Sequence, residues 1–200
     1  MTANFLSGAL RQPINIAGQL ATWLPSRQTT KLSEWTLEQL NIQPYQHILE
    51  IGYGQGKILQ SVAKKLKVGF LAGVDPSPVM YQQASYRNKQ YISQHLIQLH
   101  LGPIADLPYP SHYFHTIYGC NTISSWKDPQ LELIRLSNML RTGGKLVMVF
   151  QPLWPREEKA VRDTAEKIQE DLTTAGLTDI RIRYRDMHPA TCIAISGARP

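Results

Sequence analysis

Cysteine is scarce in this chain. Two residues in 200, Cys120 and Cys192, both lie in apolar surroundings and lack metal-ligand spacing. That excludes a disulfide framework and a cysteine zinc site, and the two thiols read as buried and reduced. Long apolar runs are missing too. None approaches the roughly 20 residues a bilayer-spanning helix needs, and the opening MTANFLSGALRQ has neither a basic n-region nor a long apolar core. No membrane span and a cytoplasmic location are therefore expected. Charge of one sign does not dominate: 21 Lys and Arg against 15 Asp and Glu give a net charge of +6. The basic residues are scattered. The densest group, Arg181, Arg183 and Arg185, alternates with Ile182 and Tyr184, which places it on the solvent face of a strand rather than in a nucleic-acid stripe. No internal repeat and no low-complexity linker breaks the chain. With 42% hydrophobic and 18% charged residues, the composition is that of a globular protein of ordinary domain size.

What is present is an alternation of strand and helix signals. HILEI (47–51) reads as a short buried strand, and KILQSVAKKL (57–66) carries apolar residues at helical spacing. FLAGVD (70–75) is the next strand. Ser77 and Pro78 are an N-cap and first-turn proline opening a helix to about Asn88. LIQLHL (96–101) and HTIYGC (115–120) are the third and fourth strands. Asp128 and Pro129 repeat the cap and start a helix to about Leu140, stopped by Gly143 and Gly144. KLVMVF (145–150) is a fifth strand. Pro155 opens a helix with Val161, Ala165, Ile168 and Leu172 on one face and Gly176 at its end. DIRIRYRD (179–186) and TCIAISGA (191–198) are separated by about four residues, too few for a crossover helix, so they form an antiparallel hairpin. The expected fold is α/β: a Rossmann-like, seven-stranded, mostly parallel sheet ending in an antiparallel hairpin, with helices on both faces. Residues 1–44 form a helical arm, broken near Pro13 and Pro25, ahead of a domain of residues 45–200.

Three glycines at alternate positions, Gly52, Gly54 and Gly56, follow the first strand. In an open parallel sheet this loop lies beyond the strand ends where ligands bind, and it lets a ligand approach bare backbone at a helix N-terminus. A dinucleotide fingerprint would place its last glycine where Lys57 stands, and no P-loop G-K-[ST] is present. Glu50, at the end of the first strand, would repel a pyrophosphate but suits an ammonium group. Asp75, at the end of the second, can take the hydroxyls of a ribose. A ribose with a cationic end and no need of phosphate describes S-adenosylmethionine (SAM).

LEIGYGQG, GVDPSPVMYQQA, GPIADLPYPSHYF and LRTGGKLVMV occur in this order, and with them residues 45–200 resemble the class I SAM-dependent methyltransferases. Within these they resemble the small bacterial branch similar to the ubiquinone/menaquinone-biosynthesis methyltransferases. The resemblance implies that Glu50 and the backbone at Gly52, Gly54 and Gly56 hold the methionine end of SAM. It implies that Asp75 accepts the ribose hydroxyls and that Pro76 packs near the adenine. Ile104 and Ala105 would offer backbone to the adenine edge, and Cys120 and Asn121 would line the floor beside the methyl. Two positions depart from the family. Pro103 stands where an acid usually receives the adenine amino group, so that hydrogen bond is either missing or made by Asp106. His115 stands where an acid commonly opens the fourth strand.

Methyl transfer from a sulfonium is an in-line displacement in which positioning does much of the work; a base is needed only if the acceptor must lose a proton. The candidates are His112, His115, Tyr118 and Trp126, with Trp126 better suited to a pocket wall and His115 to a structural role. No metal is expected. The apolar arm NFLSGALRQPINIAGQLATWL covers the sheet edge or closes over a small-molecule acceptor, for which a quinone-like or lipid-like compound is the analogy. A non-catalytic SAM-binding module is the alternative, and an RNA methyltransferase a weaker one. No nucleic-acid partner is expected, and the protein is taken as a monomer or homodimer.

Overall fold

The computed structural model describes residues 27–152, 158–188 and 190–200. Most of the N-terminal arm, with Pro13 and Pro25, and the helix start at Pro155 lie outside the described residues. Helix α1 (Arg27–Leu40) precedes β1 (His47–Ile51), α2 (Lys57–Ala63) and β2 (Phe70–Asp75). Then come α3 (Pro78–Arg87), α4 (Lys89–Ser93), β3 (Ile97–Leu101) and β4 (Phe114–Cys120). Helix α5 (Pro129–Met139), β5 (Leu140–Phe150), α6 (Glu158–Thr174), β6 (Thr178–Arg185) and β7 (Cys192–Ala198) complete the chain.

The seven strands form one sheet in the order β3-β2-β1-β4-β5-β7-β6. All pairings from β3 to β5 are parallel, and β7 runs antiparallel to both β5 and β6. The short connection after β6 does make a hairpin, with Arg185 opposite Cys192. Successive residues of β1 point to opposite faces. Ile48 joins Leu32, Trp35, Leu59 and Ala84 in a core under α1, α2 and α3, and Leu49 joins Leu133, Leu136, Ala165 and Leu172 under α5 and α6. Helix α1 buries Leu32, Trp35, Thr36, Gln39 and Leu40, the spacing of one helical stripe.

Local signals place most boundaries. Ser77 accepts the Met80 N–H at 3.4 Å and Asp128 accepts that of Leu131 at 3.1 Å, so both expected N-caps form. Two readings change and a third is extended. The helix opened by Ser77 ends at Arg87, and a second short helix, α4, follows Asn88, whose side chain is buried and turned back onto Gly56 and Ala84. Gly143 and Gly144 lie inside β5 and do not separate it from α5; between them and Phe114 the register jumps from Leu140 to Lys145. Gly143 donates to the Arg199 carbonyl at 2.8 Å and Gly144 accepts from Arg199 at 2.9 Å, so the irregular stretch is held by the chain end. The arginines of β6 stand on its exposed face, and two of them also reach α1. Arg183 donates to Gln39 at 3.0 Å, and Arg185 pairs with Glu38 at 2.7 Å and lies 5.2 Å over the Trp35 ring, so both clamp α1.

Candidate active site

From β1 the chain moves to β2 and β3 on one side, then returns to place β4 and β5 on the other. The connection reverses between β1 and β4, and in an open sheet a crevice forms beyond the carboxyl ends there. The loop 52–56, Asp75, the turn Ile104–Asp106 and the segment Cys120–Trp126 all follow strand ends on that side.

Asp75 is 7% exposed, and both of its oxygens are engaged by backbone. Oδ2 accepts the Gly54 N–H and Oδ1 that of Ser77, each at 2.9 Å. A carboxylate oxygen has a second lone pair, so Asp75 retains capacity for external hydroxyls while it fixes the glycine loop to the start of α3.

The three glycines have left-handed φ of 70°, 51° and 72°, but for different reasons. A Cβ on Gly52 would lie 2.8 Å from Thr122 Oγ1, and one on Gly56 would lie 2.5 Å from Asn88 Nδ2 and 3.0 Å from the Ala84 Cβ. A Cβ on Gly54 would meet nothing within 4 Å. Packing inside the protein demands two of the glycines. Only Gly54 faces open space.

Glu50 is 2% exposed and pairs across the sheet with Tyr118, whose hydroxyl donates to Oε2 at 2.7 Å. Burial pushes its carboxyl up to about 8; the Tyr118 hydrogen bond opposes the shift and the charge of Asp75 adds to it. Tyr118 is itself fully buried and held well above the usual phenol range by burial and by Glu50. It is engaged with Glu50 and does not line the crevice as a free base. Beside them, the Thr36 hydroxyl of α1 lies 3.5 Å from Cys120 Sγ, and burial pushes that thiol up to about 12.

The remaining candidates divide by end of the sheet. Asn121, at φ 54°, accepts the Gln151 N–H at 2.8 Å and ties the carboxyl ends of β4 and β5 together. Trp126 donates its indole N–H to Thr122 Oγ1 at 3.2 Å and packs on the core as a wall. Pro76, Pro103, Ala105 and Asp106 are exposed, while Ile104 is buried. His112 and His115 stand at the opposite end. His115 accepts the His47 N–H at 3.1 Å and lies 2.8 Å from Arg141, and burial followed by Arg141 lowers its pKa. At about 3.3 Å per residue it is ~16 Å from Cys120 along β4. His112 is farther still, in the turn before β4, with its backbone N–H on the Asn138 carbonyl. Thr36, Asn88 and Thr122 carry much of the site's internal bonding and have no local sequence signal, because each acts on a distant segment. Among the described residues no group of three His, Cys, Asp or Glu is placed to hold a metal ion.

The profile of the Methyltransferase domain matches residues 49–148, from β1 into β5. The chain belongs to the methyltransferase domain family. SAM is its methyl donor. The uncharacterized methyltransferase YdaC of Bacillus subtilis is 28% identical over 185 residues, covering 90% of this methyltransferase and 98% of the relative. A tRNA U34 carboxymethyltransferase of Shewanella baltica is 29% identical over 121 residues, 58% of this chain and 35% of the relative. The crystal structure of a SAM-dependent methyltransferase from Aquifex aeolicus shares the fold, with a TM-score of 0.70 at 18% identity over 90% of this chain and 96% of that one.

Proposed function

We propose that this methyltransferase holds SAM in the crevice between β1 and β4 and delivers its methyl group to a small-molecule acceptor. The observation that carries the reading is the Asp75 carboxylate, spare lone pairs included, beside the open side of Gly54. The residues fit the donor. Asp75 receives the ribose hydroxyls, the backbone at Gly52, Gly54 and Gly56 runs along the methionine end, and Glu50 lies beneath its cationic group. Pro76, Ile104 and Ala105 border the adenine, and Cys120 and Asn121 form the floor.

SAM supplies a methyl on a sulfonium, already activated for in-line displacement. The chain's task is to hold the acceptor atom roughly 3–3.5 Å from that carbon. Tyr118 is engaged by Glu50 and both histidines sit at the far end of β4, so positioning without a dedicated protein base is the mode that fits. Trp126 serves as pocket wall. The division into an arm, 1–44, and a cofactor domain, 45–200, belongs to the same proposal, with α1 as the docked end of the arm. So do membership of the branch similar to the ubiquinone/menaquinone-biosynthesis methyltransferases, a cytoplasmic location, and a monomeric or homodimeric state. Against an RNA acceptor stands the use of Arg183 and Arg185 to hold α1.

Calorimetric titration with SAM, S-adenosylhomocysteine and NAD tests the reading. The first two bind and NAD does not; no binding of either at millimolar concentration sinks it. Asp75→Ala lowers SAM affinity by about tenfold or more, about 1.4 kcal/mol, in a protein that stays folded by circular dichroism. Unchanged affinity would place the ribose elsewhere. S-adenosylhomocysteine release over an acceptor panel then separates a catalyst from a non-catalytic SAM-binding module.

A further inference from the structure

Resting on SAM binding in this crevice, we propose that binding is coupled to loss of one proton from the Glu50 carboxyl, with Tyr118 as the residue that positions that carboxyl. Glu50 lies in the buried run of β1 two residues before Gly52, is almost wholly enclosed, and has one hydrogen-bond donor among the described residues, the Tyr118 hydroxyl at 2.7 Å. Among the described residues, the groups that face it are Tyr118 and Cys120 of β4 and Asp75 of β2, with Thr36 of α1 and Cys192 of β7 behind Cys120. All are neutral or negative. Among the described ion pairs none includes Glu50.

A bare carboxylate in such a place pays its full desolvation with no counter-charge among the described residues, so the free protein holds the acid form. Burial raises its pKa to about 8, consistent with that geometry. SAM carries an ammonium and a sulfonium and supplies the missing positive charge. The Glu50 O–H bond breaks, the proton leaves to solvent, and the electron pair stays on the carboxylate. The Tyr118 hydroxyl then donates to a charged acceptor, which shortens and strengthens that bond. Adenosine occupies the same ribose site without either cation and draws no proton from Glu50.

Titration of SAM between about pH 6 and about pH 8, in buffers of differing ionisation enthalpy, reads the coupling. At about pH 6 wild type releases about one proton more than Glu50→Gln, falling toward about half a proton at about pH 8, and the SAM affinity of Glu50→Gln is flat over that range. Below the pKa of free Glu50, wild-type SAM affinity rises by about tenfold per pH unit. Adenosine binds both proteins with equal affinity and no proton release. Tyr118→Phe moves the midpoint of the SAM pH profile upward and leaves adenosine affinity unchanged, which a merely structural role would not produce. Infrared difference spectra of wild type give a second readout: the carboxylic-acid carbonyl band disappears on adding SAM and persists with adenosine. Equal proton release by wild type and Glu50→Gln, or by SAM and adenosine, overturns the proposal, as does a carboxyl band indifferent to SAM. Failure of SAM to bind at all overturns the assigned function instead.

Discussion

At the carboxyl ends of β1, β2 and β4 the chain buries acids and leaves backbone open, whereas at the amino ends of the same strands it stacks rings. His47 lies 4.8 Å from Tyr113, Tyr109 stacks on Tyr113 at 5.4 Å, and Phe114 meets Tyr113 edge-on at 5.0 Å. Phe70, at the start of β2, closes the group at 6.0 Å from Tyr109. Such contacts stabilise by burial and need no ligand. The carboxyl end instead keeps Glu50 enclosed with no cation paired to it among the described residues, and three glycines in left-handed conformation. One end is finished; the other holds a buried acid whose missing positive partner the proposed SAM site would supply. On the proposed reading, stability and binding are separated along the length of β4.

The sharpest way to break that separation is Phe114→Ala, which removes a fully enclosed ring at the closed end. Urea unfolding is expected to lose about 3–5 kcal/mol, while SAM affinity of the folded fraction stays that of wild type. A parallel fall in affinity would mean the two ends are coupled. Next in size, the glycines exchange readouts within one loop. Gly56→Ala meets Asn88 and Ala84 at positive φ and costs about 2–4 kcal/mol of stability with a small effect on binding per folded molecule. Gly54→Ala costs only the conformational ~1–2 kcal/mol but places a methyl in the open crevice, and SAM affinity falls further than for Gly56→Ala.

The pH dependence of stability sharpens the account of the open end. Glu50 has a folded-state pKa raised from 4.5 to about 8, so its contribution to stability is fully present below its unfolded pKa and is lost as pH rises through about 8. Glu50→Gln removes that loss. The variant therefore melts above wild type at alkaline pH, and the difference in Tm shrinks toward zero near pH 4. The smallest effect belongs to His112→Ala. With its backbone on Asn138 at the closed end, it leaves methyl-transfer turnover unchanged, and a loss of turnover would bring the amino end into the chemistry.

Much of this was legible residue by residue. The caps at Ser77 and Asp128 are local hydrogen bonds between neighbours in sequence, and they form where the residue types predict. The hairpin follows from a connection too short to cross the sheet. The two acids stand at strand ends because strand ends are visible as the end of an apolar run. Other features had no local trace. Gly56 answers to Asn88, 32 residues on, and Gly52 to Thr122, 70 residues on. Arg183 and Arg185 of the exposed β6 face reach α1, and the alternation alone does not say which helix lies within their reach.

By itself, then, the sequence determined the order of strands and helices, the capped helix starts, the glycine loop and the carboxylates that flank it. Each of these rests on periodicity or on contacts within a few residues. Only the tertiary structure decided that one glycine of three faces open space, that Tyr118 belongs to Glu50, that His112 and His115 lie at the amino end of β4, opposite the glycine loop, and that Gly143 and Gly144 belong to β5 and do not end a helix. Those outcomes depend on which elements become neighbours in the sheet, and burial shifts a carboxyl or demands a glycine only once the neighbour is in place.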